Sequence, residues 1–239
     1  MRIFLAGAAG AIGRRLLPLL VRAGHDVTGT TRSAASAREI ERAGARAAIL
    51  DVYDAPAVTA AVAAAQPEIL IHQLTDLPRQ FDEAKIAQSY PHNARIRTEG
   101  TRNLIAAAKA AGVRRLIVQS IAFAYAPGGE PHPETDPFNL ADPVRAVTVR
   151  GTADMEQQVA TCGIDAVLLR YGLLYGPGTW SPQGPARTPA LHVDAAAQTA
   201  LLAVTLGRPG IYNIADDEGA VSIAKAVAEL GFDPHFRLA

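Results

Sequence analysis

The sequence predicts a doubly wound α/β fold, a parallel sheet with helices on both faces. Three observations carry this. From Met1 to about Arg170, short β-branched or apolar runs alternate with alanine-rich helical patterns, the βαβ rhythm of a parallel sheet. Gly24, Gly44, Gly112 and Gly163 close those patterns where a left-handed residue after a helix is expected. The first apolar run, Ile3-Phe4-Leu5-Ala6, leads directly into a glycine-spaced turn, Gly7-Ala8-Ala9-Gly10-Ala11-Ile12-Gly13, that opens the first helical pattern.

In chain order, strands are expected at Arg2 to Ala6, Asp26 to Thr30, Ala45 to Leu50, Glu68 to Ile71, Arg115 to Val118 and Ala166 to Arg170. Helices are expected to begin near Ala11, Ser36, Ala55, Arg95 and Val144. Two segments break the rhythm and read as loops. Thr75 to Pro91 is polar and carries Pro78 and Pro91, and Tyr125 to Pro143 is rich in proline and glycine. Both follow strands at their carboxyl ends, where open α/β sheets bind ligands. After Arg170 come Tyr171-Gly172-Leu173-Leu174-Tyr175-Gly176-Pro177-Gly178 and a Pro/Gly-rich stretch to Pro189. A helix (Asp194 to Leu206), a strand (Gly210 to Ile214) and a helix (Ala220 to Leu230) complete the pattern. No linker separates them, so residues 1–239 read as a single domain in which 171–239 include a reduced C-terminal lobe.

At 239 residues with 49% hydrophobic side chains, the chain can bury one large core. The 23 basic and 23 acidic residues balance, which leaves no electrostatic case for nucleic acid or an anionic membrane and favours small-molecule partners. The single cysteine, Cys162, rules out an internal disulfide and sits at a helix end, where burial is expected. Gly7 interrupts the N-terminal apolar run and no apolar stretch of about 18 residues follows, so neither a signal peptide nor a membrane span is read, and a cytoplasmic protein is expected. Heavy use of alanine and arginine suggests a GC-rich bacterial source. No metal site is read.

The glycine turn carries the first functional inference. A strand that ends in such a turn at a helix N-terminus presents unpaired N–H groups and a partial positive charge, which suits a pyrophosphate. Gly7 allows the tight turn, Gly10 the close approach of phosphate and Gly13 the packing of helix on strand, with Ala9, Ala11 and Ile12 lining the same site.

The spacing is G-x-x-G-x-x-G. Together with Gly100-Thr101-Arg102-Asn103-Leu104, Leu116-Ile117-Val118-Gln119-Ser120, Leu169-Arg170-Tyr171, Tyr175-Gly176-Pro177-Gly178 and His192-Val193-Asp194, it resembles the extended or atypical short-chain dehydrogenase/reductase superfamily, in its epimerase/dehydratase branch. The resemblance runs nearly end to end and implies a Rossmann-type fold and NAD(P). Where an NAD enzyme offers an acid to the ribose diol, Thr30-Thr31-Arg32-Ser33 offers Arg32, which can pair with a 2′-phosphate, so NADP is expected, with NAD as the alternative. The resemblance places Asp51, in Leu50-Asp51-Val52, where the adenine amino group is bound. It places Leu74 and Thr75 beside the ribose, and His72 in a structural role.

The catalytic pair of the superfamily is a tyrosine followed four residues later by a lysine that favours the phenolate. The six tyrosines here are followed at that spacing by Ala57, Ala94, Gly129, Tyr175, Thr179 and Asp216. Aligned on Glu156, the Tyr and Lys positions hold Thr148 and Thr152, and Arg97 stands where the family has asparagine. Ser120 matches. Tyr125, with Arg97 or Arg150 supplying positive field, is the candidate replacement, so Ser120 and Tyr125 are the catalytic candidates. Thirteen residues, Thr179 to Leu191, stand where relatives carry a longer insertion, so a shallow or open pocket is expected. The substrate is then small, or is held by another protein, or a second subunit of a homo-oligomer closes the site. The reading is an NADP(H)-dependent oxidoreductase or epimerase/dehydratase-like enzyme acting on a small metabolite. The alternatives are a non-catalytic NADP-binding sensor or partner protein, and a lyase or cyclase.

Overall fold

The computed structural model describes residues 1–78 and 80–238; residue 79, in the segment read as a loop over Thr75 to Pro91, and residue 239 lie outside the described residues. The chain runs β1 (Arg2–Ala6), α1 (Ala11–Arg22), β2 (Asp26–Thr31), α2 (Ala34–Arg42), β3 (Arg46–Ile49), α3 (Ala55–Ala65) and β4 (Ile69–His72). Next come α4 (Glu83–Arg95), a π-helical turn (Ile96–Gly100), α5 (Thr101–Ala110), β5 (Arg115–Ile121), α6 (Ala146–Ala160) and β6 (Asp165–Tyr171). The last part holds β7 (Leu173–Tyr175), β8 (Ala190–His192), α7 (Val193–Leu202), β9 (Gly210–Ile214) and α8 (Ala224–Leu230).

Seven strands form one parallel sheet in the order β3-β2-β1-β4-β5-β6-β9. Strand order reverses between β1 and β4, which opens a crevice at their carboxyl ends. Alternation along β1 sorts its side chains between two cores. Ile3 and Leu5 join the layer that includes Leu16, Leu20, Ala196 and Tyr212, whereas Phe4 and Ala6 join Val58, Leu104, Leu116 and Met155 on the other face. Helices α1 and α7 pack together, as do α3 and α5. Gly24, Gly44, Gly112 and Gly163 all have positive φ just beyond helices, and Cys162 is buried.

Three regions differ from the expectation. Residues Glu83–Arg95, within and beyond the segment expected to be loop, form α4, with Pro91 inside it. Asp82 caps its start by accepting from the Lys85 N–H at 3.1 Å. Tertiary packing outweighs the proline: Ala94 comes so close to α6 that a Cβ on Gly151 would lie 2.9 Å from its own. Strands β7 and β8 pair in a small parallel sheet where no strand is expected, and β9 extends the main sheet. Residues 220–223 precede α8 and are not part of it. Among the described residues, no helix is long and apolar enough to cross a membrane, and no group of three metal-ligating side chains occurs.

Candidate functional site

A cleft of about 1930 Å³ follows the carboxyl ends of the strands and is lined by the cofactor-binding and catalytic candidates read from the sequence except Gly13; Arg97 and Thr148 also line it, whereas Thr152 and Arg150, which donates to the Leu140 carbonyl oxygen at 3.1 Å, do not. At one end lies the glycine turn. Gly7 has φ +93°, and a Cβ there would stand 2.7 Å from the Gln73 carbonyl carbon. Gly13 lies beneath the turn, where a Cβ would fall 2.1 Å from the Gly7 carbonyl oxygen. At Gly10 the nearest atom to such a Cβ is the Gly7 oxygen at 3.3 Å. Gly10 precedes α1 with no side chain capping the first turn, so N–H groups at the start of α1, in the Ala11 and Ile12 region, face a cradle that any larger residue at 10 would fill. That cradle fits a pyrophosphate.

At the end of β2, the Arg32 side chain is 64% exposed and donates to Asp76 Oδ1 at 3.1 Å. The adjacent Ser33 caps α2 by accepting from the Ser36 N–H at 3.2 Å. Asp51 accepts from the Tyr53 N–H at 3.0 Å and does not cap α3, a role that falls to Asp54. Val52 contributes its carbonyl oxygen to Asn103 at 2.9 Å. Leu74 and Thr75 line the cleft after β4. His72 is structural: its Nδ1 accepts from the Leu74 N–H at 3.2 Å, so its proton is on Nε2 and is donated to Thr101 Oγ1 at 3.1 Å. Complete burial, reinforced by the Arg97 charge, pushes its pKa down to about 4.

The other end is built from charged side chains. Arg97, carried on the π-helical turn, is 5% exposed and donates through one terminal nitrogen to Thr152 Oγ1 at 2.5 Å and to the Thr148 carbonyl oxygen at 3.3 Å. Burial lowers its pKa to about 10, with Glu156 opposing the shift, so it stays cationic at neutral pH. Its charge thus occupies the space between Thr148 and Thr152. None of the chain's lysines, Lys85, Lys109 and Lys225, lines the cleft.

Ser120 donates to Glu156 Oε1 at 2.5 Å. Arg170 grips the same carboxylate with two nitrogens, at 2.9 and 2.7 Å. Arg170 also donates to the Tyr125 oxygen at 2.8 Å, and that hydroxyl donates to Asn213 Oδ1 at 2.6 Å. Burial raises the Tyr125 pKa, and the Arg170 charge only partly opposes this. Tyr125 is therefore held as a neutral phenol, with its proton committed to Asn213. Glu156, Arg170 and Asn213 receive no role from sequence reasoning. The available signal is Arg170, a charge inside an otherwise apolar strand, which requires a buried partner.

The mouth of the cleft is bridged. The Trp180 indole N–H donates to the Pro78 carbonyl oxygen at 2.8 Å, and its ring meets Phe81 edge-on with centroids 6.1 Å apart. The short segment between β7 and β8 thus reaches the loop after β4, and the pocket is more covered than the length of that segment implies.

A parallel sheet with a pyrophosphate cradle at its crossover defines a dinucleotide-binding protein of the doubly wound α/β class. The chain belongs to the NAD dependent epimerase/dehydratase family, whose model matches residues 3–210. It is 41% identical over 241 residues to a 3-diazoavenalumate denitrifying reductase of a Streptomyces species, covering 92% of this chain and 77% of that one. In structure it resembles a UDP-glucose 4-epimerase from Thermotoga maritima, solved with UDP-glucose, at a TM-score of 0.81 and 18% identity over 99% of this chain and 94% of that one. It also resembles a Thermus thermophilus UDP-glucose 4-epimerase in complex with NAD, at a TM-score of 0.71 and 24% identity over 100% and 86% of the two chains.

Proposed function

We propose that this protein is an NADP(H)-dependent reductase of a small metabolite whose acceptor group takes a hydride without help from a general acid. A diazo group in its diazonium form is the class we favour. The observation that carries this reading is the charged end of the cleft. In this reading Thr148 and Thr152 take the positions of the Tyr/Lys pair, and Tyr125 is a neutral phenol bound to Asn213 and Arg170. A ketone needs a proton as the hydride adds, and a threonine hydroxyl is too weak an acid to supply it. A diazonium group needs none: a reduced nicotinamide, when bound, would supply the hydride, and the resulting diazene, R–N=N–H, would lose N2 as its C–N bond breaks and its hydrogen passes to carbon. The activity named for the 41% identical reductase, denitrifying and acting on a diazo compound, supports that class.

In this reading Gly7, Ala9, Gly10, Ala11, Ile12 and Gly13 hold the pyrophosphate, Asp51 and Val52 the adenine, and Leu74 and Thr75 the ribose. Arg32 pairs with a 2′-phosphate, since β2 ends without the acid that would hold a ribose diol. Ser120 and Tyr125 shape and touch the substrate without carrying its proton. The setting is cytoplasmic, and the partner is a small molecule.

The test titrates the protein with NADPH and with NADH, then follows cofactor oxidation and N2 release with an aryl diazonium salt, an aryl ketone and UDP-glucose. Tighter NADPH binding and protein-dependent N2 release equal to NADPH consumed are expected. Faster turnover of the ketone or of UDP-glucose would overturn the substrate class. Binding of NADPH with no turnover of any of the three would move the protein to the non-catalytic sensor reading.

A further inference from the structure

Arg97 is a buried cation without a carboxylate partner. Among the described residues no acidic oxygen lies within 4.0 Å of it, and the nearest candidate carboxylate on α6, Glu156, is gripped by Arg170 and Ser120. A guanidinium has five N–H donors, and only one of the three Arg97 nitrogens has a hydrogen-bond partner among the described residues. The other two are not sealed in the protein, because neither counts among its buried polar atoms lacking a partner, and Arg97 lines the cleft.

Next to it is a second polar group with no partner. Thr148, whose carbonyl oxygen accepts from Arg97, has its own Oγ1 buried without a hydrogen bond, and Thr148 also lines the cleft. A buried charge and a buried hydroxyl each left unmatched are costly unless something completes them. The π-helical turn that carries Arg97 is the kind of local insertion that occurs at functional sites.

We infer that Arg97, held against Thr148 and Thr152, forms an oxyanion site, and that the substrate carries an ionised oxygen, a phenolate or a carboxylate, close to the group that is reduced. The site compensates a difficulty in the reading on which it rests. A bare diazonium cation would be repelled by Arg97, whereas one bearing an ionised oxygen is neutral overall and is held by its oxygen. Arg97 is thereby a substrate-binding residue, and Thr148, whose carbonyl oxygen accepts from it, helps to position its guanidinium.

The test needs no turnover, so it can fail independently of the proposed reaction. Protein loaded with NADP+ is titrated with 4-nitrophenol, benzoate and nitrobenzene, with the phenolate absorbance band reporting ionisation of the first. Bound 4-nitrophenol is expected to ionise at lower pH than when free. Arg97→Met is expected to weaken 4-nitrophenol or benzoate about ten- to a hundredfold, leaving nitrobenzene and NADP+ affinities within about twofold. Thr148→Val, nearly isosteric, is expected to leave the affinity for the same anion within about twofold, because its Oγ1 is sealed from the cleft. Preference for 4-nitrophenol over benzoate assigns a phenolate, and the reverse a carboxylate. If Arg97→Met does not fold, as judged by circular dichroism, Arg97→Lys, which keeps the charge and loses the planar fork, carries the comparison and is expected to weaken the anion. Equal binding of nitrobenzene and both anions by the wild-type protein would overturn the proposal. So would a loss of NADP+ affinity in the Arg97 variants with anion preference intact, since that would make Arg97 a cofactor ligand.

Discussion

The two ends of the cleft are made of different materials. The end beside β1 is backbone: a positive-φ glycine, a helix start without a side-chain cap and a glycine so tightly overlaid that a Cβ would fall 2.1 Å from a carbonyl oxygen. The end beside β5 and α6 is side chain, a buried set of charges and hydroxyls running through Arg97, Glu156, Arg170, Ser120, Tyr125 and Asn213. A site made of backbone tolerates change almost nowhere, because its shape depends on missing atoms. A site made of charges can be rewired, provided the charges still balance.

The largest effect that would sharpen this contrast is expected at Gly13. Gly13→Ala should reduce NADPH affinity by on the order of a hundredfold or more and destabilise the fold by about 3 kcal/mol or more, because a backbone clash cannot be relieved by turning a side chain. Gly129, where a Cβ meets nothing within 4 Å, provides the control; Gly129→Ala should leave NADPH titration and the thermal midpoint nearly unchanged. Comparable losses in both variants would break the contrast.

A similar loss is expected on the side-chain end when its balance is broken. Glu156→Leu leaves Arg170 buried and unpaired, which should cost about 3–5 kcal/mol in chemical denaturation. Adding Arg170→Leu should restore much of that stability, since an apolar pair of similar volume avoids desolvating either charge. Full additivity of the two changes would show that the pair does not act as a unit.

The smallest of the three effects concerns His72, which lies between the two ends. Its folded pKa, about 4, is below the unfolded value near 6.5, so the unfolded chain binds more protons between these values. This residue should contribute nothing to the pH dependence above about 6.5 and remove roughly 3 kcal/mol as pH falls to 4. His72→Asn, whose amide oxygen can still accept from Leu74, should flatten that part of the stability profile. An unchanged slope would place the acid sensitivity elsewhere.

The two ends also differed in how far the sequence revealed them. Gly7, Gly10 and Gly13 stand out because the geometry they permit is closed to other residues, whereas Arg32, expected from the acid missing at the end of β2, donates to Asp76 in the structure, a partner 44 residues away that the sequence does not indicate. Strands β1, β4, β5 and β6 fall close to their predicted positions because buried parallel strands are largely continuous apolar runs, whereas β2, rich in threonine, and the partly exposed β3 are found from their β-branched or small residues between helix ends. Helix α4 was hidden by Pro91, since its stability comes from contact with α6. The partnership of Ser120 with Glu156 joins residues 36 apart in sequence and depends on how α6 packs against β5. For Arg97, the sequence shows a cation in place of asparagine. That the guanidinium reaches across to Thr148 and Thr152 depends on the π-helical turn, which has no distinct sequence pattern.

The bridge at the mouth of the cleft has an optical consequence. Trp180 is the chain's only tryptophan, so all indole emission originates where the segment after β7 touches Pro78 and Phe81. Its hydrogen bond to Pro78 ties its surroundings to the distance between two loops that flank the bound ligands. A change in emission maximum therefore reports the opening or closing of that gap, and energy transfer to reduced nicotinamide reports how near the cofactor lies, without a label or an engineered probe.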